Sequence, residues 1–369
     1  GDLCNGTAGY EPLPVPITSL GSNVTNVDAN GCQTCAITGD GVLYCWGNVS
    51  SEDCPFINYV SSSAIFPPTV VDFSAPLGVT PIDVSVGGAH ACARLSDNTL
   101  WCWGENQYGQ LGYSTGYGAA PAQIMTNVAE VCAGGAHTCA RRTDSNVWCW
   151  GYGSGSGTGI DSSTPSLRRS GVKALACGGG YTCVIDLADQ LWCWGDNYFG
   201  QLGIGTITTT TLTPTWLSTL GTSVAEVTAG SFTTCARNSQ GLWCWGENLR
   251  GQLGNGTTVN ASLPTAVSLA GSVGVDAGGR HVCSLVGGAP WCWGLNAFGQ
   301  LGDGTTADQS LPVMVNGLDA TKLAVSSYNT CALAADGMLW CWGDNMQGEL
   351  GTGVLPYAPL PTPTLIACQ

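Results

Sequence analysis

Residues 329–343 read NTCALAADGMLWCWG. Two apolar runs flank Ala335-Asp336-Gly337, a three-residue hairpin loop if Cys331 and Cys341 stand directly opposed, with glycine where a positive φ is needed. Opposed residues of a non-hydrogen-bonded antiparallel pair have Cα atoms about 4.5 Å apart, within reach of a disulfide. Side chains alternate along a strand, so Trp340 and Trp342 share one face and Cys341 points to the other. The stretch reads as a stapled hairpin with one aromatic and one disulfide face.

The phrase recurs. The tryptophans of the Trp-Gly pairs are Trp46, Trp103, Trp150, Trp194, Trp245, Trp293 and Trp342, 44 to 57 residues apart. Each follows a cysteine pair of spacing nine or ten: Cys35/Cys45, Cys92/Cys102, Cys139/Cys149, Cys183/Cys193, Cys235/Cys244, Cys283/Cys292 and Cys331/Cys341. The nine-residue spacing also makes a hairpin, since opposing Cys283 and Cys292 leaves Gly287-Gly288 as a primed two-residue turn. Short apolar runs punctuated by glycine, with no sustained helical period, mark strands. Repeats of roughly 50 residues with several strands each mean propeller blades. The expected fold is all-β: one disulfide-stapled, seven-bladed β-propeller domain over residues 1–369. The aromatic face of each blade is expected to pack on the disulfide face of its neighbour. Each staple closes a short loop and contributes about 2–3 kcal/mol on a chain-entropy basis.

Six cysteines fall outside the hairpins. Cys132 and Cys177 precede the staples of neighbouring repeats and are placed to bridge blades three and four. Cys32 and Cys54 bracket blade one, and Cys4 and Cys368 lie near the two ends. LPVPITSL (13–20) and LPTPTLIA (360–367) look like copies of one strand, so the ends are expected to close the ring, stapled by Cys4–Cys368. Twenty cysteines in paired spacings argue for an oxidising compartment, and only Cys32/Cys35 has the C-x-x-C spacing of a zinc site. The chain starts at Gly1, which is expected of a mature secreted chain. Sequons at Asn5, Asn23, Asn48, Asn255 and Asn260 make N-glycosylation an expectation. The run TITTTTLTPT (206–215) is either a carrier of O-linked sugar or a threonine-rich edge strand. No run of about 18 apolar residues crosses a membrane. With 25 acids against 10 bases the net charge is −15, which repels a nucleic-acid backbone.

GGAHTCA (134–140), WCWGDNYFGQLGIGT (192–206) and WCWGENLRGQLGNGT (243–257) closely resemble the regulator of chromosome condensation repeat, and the resemblance covers nearly the whole chain. It implies a seven-bladed propeller. Blades one and three depart from it, lacking Gln-Leu-Gly after Trp-Gly. The family's founding activity, exchange on a small GTPase at chromatin, suits neither the cysteines nor the charge. Its photoreceptor branch has a tryptophan where Gly135 and Gly279 stand here. A secreted inhibitor branch, which binds through one propeller face, is nearest in setting.

Catalysis needs residues that break the repeat. His90, His137 and His281 occupy one repeat position, held elsewhere by Gln33, Tyr181, Thr233 and Asn329, and are expected to bond backbone near the inner strand. Glu105, Asp196, Glu247 and Asp344 also share one position, hence lie on different blades, and are expected to cap turns with Asn106, Asn197, Asn248, Asn296 and Asn345. GDGTT (302–306) is too short for a calcium site. No enzyme, metal or cofactor is expected. The leading expectation is an extracellular structural subunit that assembles with copies of itself. The alternative is a secreted module that recognises another protein or a glycan with one face. Residues 47–81 and 151–170, the Thr run and the chain ends are the places where the repeat fails.

Overall fold

The computed structural model describes residues 9–31, 33–47, 68–114, 119–346 and 348–352. Seven four-stranded antiparallel sheets surround a central channel. In blades one to six the strands run from channel to rim in chain order, as in blade two: Pro81–Val86, His90–Leu95, Leu100–Gly104 and Ala119–Met125. In blade seven, Ala320–Val325, Asn329–Ala334 and Leu339–Asp344 are completed at the rim by Tyr10–Pro16. The first strand among the described residues therefore closes the ring. Its sequence twin, 360–367, lies outside the described residues, as do Cys4, Cys32, Cys54 and Cys368.

The middle two strands of each blade form the stapled hairpin. All seven repeat cysteine pairs are direct cross-strand partners with Cα atoms 4.1 Å apart. Five hairpins turn through three residues, the third left-handed: Gly41, Asn98, Ser145, Asp189 and Gly337, with φ between 60° and 82°. Gly287 and Gly288 both have positive φ (58° and 87°), as a primed two-residue turn requires.

The alternation along Trp-Cys-Trp produces the inter-blade core. Trp101 and Trp103 pack on Cys35 and Cys45 of the preceding blade, Trp340 and Trp342 on Cys283 and Cys292, and Tyr44 and Trp46 close the circle on Cys331 and Cys341. The second tryptophan of each pair is 0–3% exposed, the first half-buried.

Near the channel the blades touch backbone to backbone. The N–H groups of Gly88, Gly135, Gly179, Ser231 and Gly279 donate to the carbonyls of Gly134, Gly178, Gly230, Gly278 and Ser326 in the following blades, at 3.0–3.3 Å. A Cβ at Gly135 would lie 2.3 Å from the Gly179 carbonyl oxygen, so no tryptophan fits there without moving the next blade.

The rim is blunted. Pro14, Pro68, Pro121, Pro165, Pro214, Pro264 and Pro312 each stand one residue before the partner of a hairpin cysteine on the outermost strand. Proline offers no N–H to an incoming strand and is the residue proteins use to protect sheet edges. The Thr run supplies one such edge strand, Thr210–Trp216.

Candidate functional site

One end of the propeller carries the hairpin turns. The other, the loop face, carries the turns between first and second strands and the loops that follow Trp-Gly. The repeat residues of those loops are architectural. Asn106, Asn197, Asn248, Asn296 and Asn345 accept through Oδ1 from the backbone N–H of Leu111, Leu202, Leu253, Leu301 and Leu350 at 2.9–3.2 Å, which folds each loop on itself. The fold aims the carbonyl of the intervening glutamine into the next blade. Gln110, Gln201, Gln252 and Gln300 accept there from the indole N–H of Trp150, Trp245, Trp293 and Trp342 at 2.8–2.9 Å. Glu349 does the same for Trp46 across the ring closure. This latch was not anticipated from sequence, since it acts through a main-chain carbonyl. The blade-three loop, which lacks Gln-Leu-Gly, loses it: Trp194 of the following blade has no partner for its indole N–H among the described residues. There a short helical turn, Gly153–Ser156, substitutes in part, its Gly155 carbonyl accepting from Thr182 at 2.8 Å.

The histidines belong to the same network and correct the expectation that they bond backbone. His90, His137 and His281 Nε2 meet the Oγ1 of Thr138, Thr182 and Thr330 in the next blade at 2.7–2.9 Å. Each threonine hydroxyl already donates its one hydrogen to a carbonyl, of Gln110, Gly155 or Gln300. It must therefore accept from Nε2–H, which fixes a neutral tautomer with Nδ1 unprotonated. Burial holds all three imidazoles down to about 3, and the neighbouring His137 adds to the effect at His90. The folded value lies below the unfolded 6.5, so the stability each contributes is present above pH 6.5 and lost as pH falls toward 3. His281→Asn is expected to be less stable than the parent at pH 7. The gap should shrink by about 2 kcal/mol at pH 5 in urea titrations, because the variant no longer resists protonation. Asp28 acts in the opposite sense. Burial raises it to about 7, against the pull of Lys322, so its stability is present below the usual carboxylate range and lost as pH rises through 7.

Around the channel, side chains of one inner strand cap the free N–H groups of the next. Asp28 accepts from Val86 at 2.7 Å, Ser85 from Ala133 at 3.0 Å, Glu130 from Leu175 at 3.1 Å, Glu226 from Val275 at 3.2 Å and Asp276 from Val325 at 2.7 Å. Lys322 donates to Asn26, which donates to Asp83. Between blades three and four Cys132 and Cys177 are joined covalently, Cα atoms 5.5 Å apart. Cys139 lies beside them, but all three sulfurs are in disulfides and offer no thiolate to a metal.

The acids after Trp-Gly diverge, which corrects the expectation of a common capping role. Asp344 caps, accepting from Met346 N–H at 3.0 Å. Asp196 accepts from Thr210. Glu247 meets Arg280 at 3.4 Å. Glu105 accepts nothing from its surroundings among the described residues. In 302–306 and 254–258, Asp303 and Asn255 close local turns onto Thr305 and Thr257. Among the sequons, Asn23 is exposed, Asn255 is half-buried, and Asn260 uses its Oδ1 on Asn248 N–H; Asn5 and Asn48 lie outside the described residues.

The loop face exposes apolar and aromatic side chains among polar ones such as Gln107, Arg250 and Arg280. Tyr198 is 52% exposed, Leu249 61%, Tyr328 43% and Met346 40%. Phe199 leans on Phe232 and Phe298 on Tyr328, with centroids 5.1 and 5.4 Å apart. The channel opens here as a cavity of about 800 Å³. Among the described residues no helix is long and apolar enough to cross a membrane.

Residues 82–368 match the RCC1-like domain. Ultraviolet-B receptor UVR8 of Arabidopsis thaliana is 31% identical over 301 residues, 76% of this chain and 67% of the receptor. Human E3 ubiquitin-protein ligase HERC2 is 28% identical over 280 residues, 71% of this chain but 6% of the ligase's length. Among solved structures, human WBSCR16 superposes with a TM-score of 0.74 at 20% identity, covering 87% of both chains. Prp20p of Saccharomyces cerevisiae gives 0.72 at 18% identity, over 87% of this chain and 82% of that one. The ectodomain of the Physcomitrella patens receptor kinase CR4 gives 0.54 at 20% identity, over 87% and 74%. The repeat phrases, the seven sheets and a match over most of the length place the chain in the RCC1-like domain family.

Proposed function

We propose that this propeller is a secreted, non-enzymatic binding module that docks a partner protein on its loop face. The observation that carries the reading is the exposed Tyr198, Leu249, Tyr328 and Met346 on one end of a rim that proline closes to strand pairing. Exposed apolar clusters rimmed by polar residues mark interaction surfaces. The relatives support a binding role: Prp20p is described with binding properties to Gsp1p and histones. The eight disulfides among the described residues and the sequons support an extracellular setting, and the similar CR4 structure is the ectodomain of a receptor kinase. N-linked sugar at Asn23 and Asn255 and O-linked sugar on exposed Thr206, Thr208 and Thr209 belong to this reading; glycosidase-sensitive mass above 37.8 kDa tests them.

A second reading, a self-assembling subunit of an extracellular fibre or coat, is favoured by one observation. Leu13, Leu263 and Leu311, 47–56% exposed, recur at one rim position on blades five to seven. Sedimentation of the full chain, with Tyr198→Glu/Leu249→Glu and Leu263→Glu/Leu311→Glu variants, separates the two. The binding reading expects a monodisperse species, with partner affinity lost at least about tenfold, or 1.4 kcal/mol, only in the loop-face variant. Polymers that the rim variant dissolves would replace it with the assembly reading.

A further inference from the structure

We propose that Glu105 forms a socket at the channel mouth for an arginine side chain from a basic segment of the docked partner. This rests on the loop-face reading above and names the chemistry that face would recognise.

The chain contains its own precedent. Glu247 in blade five and Glu105 in blade two hold the same repeat position, directly after Trp-Gly. Glu247 is 1% exposed and is met by the Arg280 guanidinium at 3.4 Å, supplied by the following blade from the residue before His281. The matching residue beside Glu105 is Ala136, before His137. The position that holds a cation in one sector thus holds a methyl group in the other. Gln252 Nε2 also donates to Glu247, whereas the matching Gln110 Nε2 makes no bond among the described residues. Glu105 is therefore 8% exposed, lines the channel-mouth cavity and has no side-chain partner among the described residues.

A carboxylate so placed is costly unless something charged or donating reaches it. Burial raises its pKa, the sign of that cost. Tyr108 and Gln107 line the same mouth, and the Tyr108 ring is braced edge to face by Tyr152 at 5.7 Å. Aromatic rings beside a carboxylate favour a planar guanidinium, through cation–π and bidentate contacts. The net charge of −15 adds long-range attraction for a basic segment.

The test titrates the full chain with acetyl-Gly-Arg-Gly-amide and with its citrulline isostere, which keeps the shape and removes the charge. The arginine peptide should saturate one site and the citrulline peptide bind at least about tenfold more weakly. Glu105→Gln and Ala136→Arg should each abolish the site, the first without loss of Tm because an unpaired buried charge is removed. Arg280→Ala should add a second site of similar affinity at Glu247. Equal binding of both peptides, undiminished binding to Glu105→Gln, or no saturable binding to the parent chain would each overturn the socket. A failed socket alongside partner binding still lost in Tyr198→Glu/Leu249→Glu would leave the loop-face reading intact, so the two fail separately.

Discussion

Complete reduction in non-denaturing buffer is expected to unfold the protein. Each hairpin staple closes a loop of nine or ten residues, worth about 2.5–3 kcal/mol by chain entropy, and Cys132–Cys177 closes one of 45, worth about 4. Seven of the eight loops do not overlap another hairpin, so their effects on the unfolded chain largely add. Together they exceed the roughly 5–15 kcal/mol by which a domain is stable. The buried positions of the staples work against a reductant, since the hairpin cysteines are 0–8% exposed. Reduction should therefore be slow and coupled to global opening, with Cys132–Cys177, which lines the channel, going first. Far-ultraviolet dichroism with timed alkylation checks this. A fully alkylated chain that kept its strand signal and cooperative melt would show that the aromatic core alone holds the ring.

Gly278→Ala is expected to destabilise by about 3 kcal/mol or more, through overpacking and a lost main-chain bond. A Cβ there would sit 1.9 Å from the Ser326 carbonyl oxygen and 2.8 Å from its carbon, both main chain. Rotamer change cannot relieve such a contact. The blades must separate, breaking the Gly279 N–H to Ser326 bond of 3.1 Å. Gly274→Ala, four residues earlier on the strand Ser272–Ala277 that leads into Gly278, is the control. Its Cβ would meet nothing closer than 3.9 Å, so urea midpoints should change by no more than about 1 kcal/mol. Equal effects at the two sites would refute the close-packed glycine belt.

The blades were legible because their signals are local. Cys331, Asp336-Gly337, Cys341 and Trp342 declare a hairpin within fifteen residues, and recurrence supplies the blade number. What escaped depends on the ring. Gln300 reads as a polar loop residue until its carbonyl is seen against Trp342 of the next blade. His281 reads as a residue seeking backbone until Thr330 arrives from blade seven. Asp276 reads as a solvated strand acid until it caps Val325 N–H of the next blade. Two further signals are present in the sequence. A proline stands at one offset before the cysteine's partner in every repeat. The pairing of Glu247 with Arg280 becomes visible, with its missing counterpart at Ala136, once repeats are aligned two at a time. The residues 151–170, which looked like a break free for function, instead carry a substitute latch at Gly155.

The repeated phrase builds self-stapled blades, and on the proposed reading binding falls to the few loop-face residues that depart from it. Mass-spectrometric disulfide mapping of the unreduced protein tests its foundation. Cys35–Cys45, Cys92–Cys102, Cys139–Cys149, Cys183–Cys193, Cys235–Cys244, Cys283–Cys292 and Cys331–Cys341 should each appear within a single blade, with Cys132–Cys177 as the inter-blade link among the described residues. A hairpin cysteine bonded to one from another blade, or recovered as a free thiol in the native protein, would contradict it.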